Sequence, residues 1–294
     1  MRQFSSYVSQ LVFVILVSAI NFVVTDPALQ STIIAAMAGG WFAISTPYVL
    51  LKFGDHPATR KLKEGQSLLN ATVSQLFLEF TRLKKYPEAM KLMFASAIMQ
   101  CGGAAIVQIG PIYMLVFLEM PFLWYNLVLG VLLLIGSPSA ALLAWICKNE
   151  KLSFRMLWVI DIAFFIVISL LAPLVATTPT VGSWAITVVL AGLLGGTALS
   201  WFYSLSWASF VTLIPKGQAG QYSGLHTFVQ TIFQPIAPAI YTAVVQSTNL
   251  HQVGWAVLLP WCFLGLIAVL CVDFKKGKRD AGRLGEEMKD VIQT

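Results

Sequence analysis

Charge is scarce in this chain. Only 11% of its 294 residues are Asp, Glu, Lys or Arg, less than half of the roughly one-quarter share with which a soluble domain coats its surface. A solvated globule is thereby excluded. Histidine is scarcer still, with three copies (His56, His226, His251), and there are four cysteines (Cys101, Cys147, Cys262, Cys271). All four cysteines lie in apolar runs without metal-type spacing, so they read as small core residues rather than bridges or ligands. The sequence carries no Gly-rich phosphate loop, His-containing triad or metal cluster. Nothing in it points to an enzyme or calls for a cofactor or a metal.

Apolar residues are what the chain has in excess: they make up 57% of it, and its mean hydropathy is +0.77. A helical span takes about 20 apolar residues. Runs of that length fall near residues 8–24, 30–51, 92–115, 123–147, 156–176, 183–206, 222–246 and 254–272. The expectation is an all-α polytopic membrane protein with eight spans, in contact with the lipid bilayer. The run from 183 to 214 is long enough to kink at Gly195-Gly196. A cleaved signal peptide competes for the first run through Val17-x-Ala19, although apolar residues continue to Val24.

Basic residues fix the orientation, because they are retained on the cytoplasmic side of the spans. Arg2, the eight between Lys52 and Lys91, the group Lys148, Lys151 and Arg155, then Lys216, and the six from Lys275 to Lys289 are all 19 that exist. Alternating spans put every one on the same side, so both termini are expected in the cytosol. The formal net charge of +6 expresses this bias and implies no nucleic-acid partner. Within the connection at 52–91, Leu69, Val73, Leu76, Phe77, Phe80 and Leu83 recur at helical spacing, as in an amphipathic helix lying in the interface.

The most specific string is Leu213-Ile214-Pro215-Lys216-Gly217-Gln218, followed by Gly224-Leu225, Phe228 and Gln230, then Pro235 and Pro238. With Gly40-Trp41-Phe42, Pro47 and Tyr86-Pro87, it resembles the autophagy-related vacuolar amino-acid effluxers, a branch of the major facilitator superfamily. The resemblance covers that family's helices five to twelve. It implies two helices within 1–52, a cytoplasmic linker with the amphipathic helix at 53–91, a six-helix facilitator bundle at 92–272 and a basic cytoplasmic tail at 273–294. By the same resemblance the location is a vacuolar or other endomembrane. There are departures: Cys101-Gly102 stands where the family shows an acidic residue before glycine, Trp207 or a neighbour where it has Arg, and Ala219 where it has Glu. The loop with Lys148, Lys151 and Arg155 lacks the Gly and Asp of the usual facilitator signature.

The implied function is secondary transport, resembling vacuolar efflux of amino acids or similar small polar solutes. The chain as given reads as incomplete, since the family's first four helices have no counterpart, and its expected partners are those helices or a second membrane chain. The alternative is a transport-inactive membrane scaffold or a truncated gene product.

Polar groups at membrane depth are the candidates for a solute path. Tyr222, His226, Gln230 and Gln234 recur every four residues along one drifting face about 120° wide. Their amides can satisfy both a carboxylate and an ammonium, or merely bond neighbouring helices. Pro235 and Pro238 free backbone carbonyls beside them. Gln100 and Gln108 lie about 80° apart around one helix, and Tyr203 and Trp207 share a face that an interface belt would also explain. Asp161, the acid well inside a span, is either a coupling residue or a carboxylate paired with Arg155, Lys151 or Lys148. Gly192 and Gly196 form a Gly-x-x-x-Gly packing pair.

Overall fold

The computed structural model describes residues 12, 15–17, 19–20, 27–52, 68–215 and 219–282, and among them there are helices and no strands. Helix α1 spans Pro27–Lys52, α2 Leu68–Leu83, and α3 Pro87–Ile112, which continues through a π-helical turn at Tyr113–Phe117. Then come α4 (Phe122–Lys148), α5 (Phe154–Val175) and one long rod made of α6 (Val181–Thr187), a π-helical stretch (Val188–Gly195) and α7 (Gly196–Thr212). The last third holds α8 (Ala219–Phe233), α9 (Ile236–Thr248), α10 (His251–Ala256), α11 (Leu258–Leu270) and a terminal helix α12 at 274–282.

Six helical rods among the described residues are long and apolar enough to cross a membrane: Pro87–Phe117, Phe122–Lys148, Phe154–Val175, Val181–Thr212, Tyr222–Thr248 and His251–Leu270. They fall on the last six apolar runs. Helix α1 covers the second run, while most of 8–24, the stretch 53–67, Lys216-Gly217-Gln218 and the end of the tail lie outside the described residues. Local chemistry sets the ends. Pro87 opens α3, Ser153 caps α5 by accepting from Met156 N–H at 3.3 Å, and Thr180 caps α6 by accepting from Ser183 N–H at 3.4 Å. Asn249 closes α9 in the left-handed region, at φ 56°.

Helix α3 is the central staff, lying along α11 and α8. Gly102 and Gly103 make this possible: a Cβ there would already touch Trp261 at 3.4 Å and Phe165 at 3.6 Å, so α11 and α5 approach its backbone closely. The second seam joins α4 to α7 and the π-helical stretch. A Cβ on Gly192 would lie 2.6 Å from Val131 Cγ1, and one on Gly196 would lie 2.5 Å from the Leu132 carbonyl oxygen. The Gly-x-x-x-Gly pair therefore seats α4, and at the site of the expected kink the rod is π-helical. Because backbone cannot rotate aside, Gly196→Val costs about 1–3 kcal/mol or more and lowers the melting temperature in detergent by several degrees. Gly130→Ala on α4, with nothing within 4 Å of the added methyl, leaves it unchanged.

Helix α2 lays one side on α8 and α3, where Leu83 is buried and Phe80 meets Phe94 edge to face at 6.1 Å. Its other side turns outward, and Phe77 is 71% exposed. Phe77→Asp weakens the membrane association of α2, measured as the fraction of a fluorophore on α2 that brominated lipid quenches. Asp at Ser74, which is exposed on the polar side, leaves that fraction unchanged.

A polar latch ties α12 to the ends of α3 and α5. Buried Glu88 pairs with Lys91 at 2.8 Å and accepts from Asp273 N–H at 2.7 Å, while Arg155 Nη2 donates to the Val272 carbonyl at 2.8 Å. Asp273 caps α12, its Oδ1 accepting from the N–H groups of Lys276 and Lys275 at 3.0 Å each. Those donors hold the Asp273 carboxyl below the usual carboxylate range. Two sequence expectations are corrected here. Arg155 spends itself on Val272 rather than on Asp161, and Lys151 sits 4.3 Å above the Trp145 ring. Cys271 is exposed at the end of α11, whereas Cys101 and Cys262 are buried as expected.

Candidate functional site

Helices α3, α7 and α8 each bring polar side chains one turn apart to a common seam. On α8 these are His226 and Gln230, on α3 Ser96 and Gln100, and on α7 Tyr203 and Ser206, with Trp207 and Phe210 on the same face. His226 is only 3% exposed. Its Nε2 lies 3.4 Å from Ser96 Oγ and 3.4 Å from Ser206 Oγ, and its ring stacks 4.4 Å from Phe210 and stands 6.0 Å from Trp207. Gln230 donates from Nε2 to Ser206 Oγ at 2.8 Å.

The donors and acceptors in this seam are not interchangeable. Ser96 commits its hydroxyl proton to the Met93 carbonyl at 2.9 Å, so toward the imidazole it accepts. Ser206 accepts from Gln230 and keeps its own proton to give. Nε2 can therefore donate to either hydroxyl when it carries a proton, and can accept only from Ser206 when it does not. One ring nitrogen thus has two alternative partners on two different helices.

Further along the seam, Gln100 donates from Nε2 to the Tyr203 hydroxyl at 3.4 Å, and its Oε1 is buried with no partner among the described residues. At the α8–α9 junction Pro235 and Pro238 bring no N–H, which frees the carbonyls of Thr231 and Gln234 from their helical donors. The Gln234 N–H turns back to Thr231 at 3.2 Å, and the Cys101 thiol donates to the Phe233 carbonyl at 2.7 Å. The cysteine that departs from the effluxer pattern therefore hooks α3 onto this break. Gln234 is half-buried there.

Two candidates lie apart. Gln108 is exposed on α3 and does not join the seam, and Tyr222 packs against Tyr86 at 6.2 Å instead of facing it. Asp161 is wholly buried on α5 with both oxygens unpartnered among the described residues, within electrostatic reach of the Cys262 thiol. One turn before it, Trp158 donates from Nε1 to Ser209 Oγ at 3.2 Å, and Ser209 is one turn beyond Ser206. Trp158 thus ties α5 to α7 one turn from the seam, while Asp161 itself makes no bond to it. Sequence reading passed over Ser96, Ser206, Trp158 and Ser209. Their signal was a polar residue one turn from an already noted one, as Ser96 is from Gln100.

Beyond Tyr203 the seam opens into a cavity of about 1090 Å³ between α1 and the bundle. Its walls are almost wholly apolar, with Trp41 and Phe42 of α1 facing Leu132, Leu190 and Ile168 of the bundle.

A multi-span helical bundle enclosing a buried polar seam that borders a large cavity defines a polytopic membrane protein. The chain belongs to the Atg22-like vacuole effluxer family, whose family model matches residues 1–282. That family is one of transporters. Neither a curated protein nor a solved structure matches the chain significantly.

Proposed function

We propose that this protein carries amino acids or similar small polar solutes across a vacuole-type membrane as a secondary transporter of the major facilitator type. In this reading there are eight spans with both termini cytosolic, two of them within 1–52 and six forming the bundle of 92–272. The linker 53–91 and the tail 273–294 lie on the cytosolic side. The observation that carries the reading is the Ser96–Ser206–His226–Gln230 seam, since polar groups at this depth are costly unless they serve a pathway or one another. The amides of Gln100, Gln230 and Gln234 can meet both ends of an amino acid. His226 reaches Ser96 on α3 and Ser206 on α7 at 3.4 Å each, and so couples two helices whose relative movement alternating access requires. Asp161 is assigned the coupling role, as an acidic side chain buried within a span and without a partner among the described residues.

Gln230 is already held by Ser206, which favours a positioning role for that amide, so Gln234 is the one to test. In membrane vesicles from cells expressing the protein, Gln234→Leu reduces efflux of a preloaded radiolabelled amino acid about tenfold without changing protein abundance. Wild-type efflux by the variant would assign Gln234 to helix packing.

A further inference from the structure

Helix α12 lies across the ends of four spans. Its first residue, Phe274, stands four places beyond Leu270, where the last span ends, and packs on Phe154, the first residue of another, with ring centroids 6.1 Å apart. Glu88, the second residue of the Pro87–Phe117 span, accepts from the Asp273 N–H at 2.7 Å. Midway along α12, Gly277 leaves no room for a side chain. A Cβ there would lie 2.9 Å from Glu88 Cβ and 2.7 Å from Cδ2 of Leu213, just past the Val181–Thr212 rod. These contacts hold α12 at the depth where hydrocarbon gives way to headgroups, a layer about 5–7 Å deep on each side of a bilayer.

The docked side of α12 is apolar and the outward side is cationic. At about 100° per residue, Phe274, Gly277 and Ala281 fall within a narrow arc, and these are the buried or half-buried positions. Lys278, Lys275, Arg279 and Lys276 follow one another around the next 160° or so, and all four are exposed. The ion pairs among the described residues, Arg82 with Glu79 and Lys91 with Glu88, use none of them. Asp273, within electrostatic reach of Arg279, spends its carboxylate on the first N–H groups of the helix, and Asp280 is half-buried at the edge of the cationic arc. Orienting a chain requires only that cations lie near its spans, and a coil would serve. Here a close-packed glycine, a cap and a buried carboxylate fix four cations without ion-pair partners on one face at headgroup depth. Such a face attracts an anionic surface.

We propose that the outward face of α12 binds anionic phospholipid headgroups of the adjacent leaflet, with Lys275, Lys276, Lys278 and Arg279 meeting their phosphates and carboxylates. In the proposed orientation that leaflet is the cytosolic one. The site uses no residue of the His226 seam and stands whether or not the seam carries amino acids.

The test titrates the purified full-length chain in detergent with short-chain phosphatidylserine, short-chain phosphatidylcholine or inorganic phosphate, followed by thermophoresis. Saturable binding of phosphatidylserine is expected, about tenfold or more tighter than that of phosphatidylcholine and weakened by added salt. Each single change of Lys275, Lys276, Lys278 or Arg279 to Gln raises the half-saturating concentration up to about fivefold, and the four together abolish the preference. Changing the three lysines to Arg preserves it. Gly277→Val, which undocks α12 with every charge in place, weakens binding about fivefold. Equal binding of the two lipids, or a preference that survives the fourfold Gln change, would overturn the proposal. Unchanged affinity in Gly277→Val would reduce the face to a polybasic tail and overturn it as a docked site. Saturation by inorganic phosphate with no preference for phosphatidylserine would assign the face to a soluble anion instead.

Discussion

Asp161→Asn is expected to uncouple the protein while leaving its stability close to that of the wild type. The wild-type carboxyl is fully buried and neither oxygen has a partner among the described residues. A charge placed there is not offset by Arg155, which is engaged with Val272, or by Lys151, which sits over Trp145. Asn keeps the shape and leaves one buried, unpartnered polar group in place of another, so stability is expected to change little. A residue retained at such a cost is a functional candidate by default. In vesicles, Asp161→Asn abolishes the dependence of amino-acid flux on an imposed proton gradient while leaving the melting temperature in detergent nearly unchanged. A purely structural Asp161 predicts the reverse, lower stability with coupling intact.

The second large effect centres on Ser206. Its hydroxyl accepts from Gln230 at 2.8 Å and faces His226 Nε2 at 3.4 Å, so Ser206→Ala takes a partner from buried His226 and half-buried Gln230 at once. Each unmet group costs about 1–3 kcal/mol, and misplacing the groups that hold a solute costs up to about 100-fold in rate. Efflux is expected to fall by one to two orders of magnitude with abundance reduced far less. Gln230→Leu added to Ser206→Ala lowers it little further, because both changes remove the same interaction. Strict additivity in that double-mutant cycle would mean that Ser206 and Gln230 act separately.

The bundle was legible because apolar runs of spanning length report helices directly, and the rods at 122–148, 154–175 and 251–270 follow from them. Pairings between helices were less so. Gly192 and Gly196 advertised a close contact but not that Leu132 would occupy it. Asp161 and Arg155 are about 9 Å apart along the axis, yet six residues also separate them by about 120° around it, so they reach different neighbours. The 80° between Gln100 and Gln108 likewise puts the first in the seam and the second outside it. His226, Gln230 and Gln100 were identified by type and spacing, whereas Ser96 and Ser206 were hidden because serine in an apolar helix often bonds only its own backbone. The cavity beyond Tyr203 is assembled from helices distant in sequence, and no local pattern announces it.

The central claim is that solute passes along the seam, and cysteine accessibility at its proline break tests that most directly. Gln234→Cys is placed in a background where exposed Cys271 and half-buried Cys147 are serine. It is then treated with a small water-soluble thiosulfonate in vesicles, with and without saturating amino acid. Modification that is slowed at least severalfold by the amino acid is predicted. A cysteine as inert as buried Cys262, or one modified equally fast with and without solute, would contradict the account.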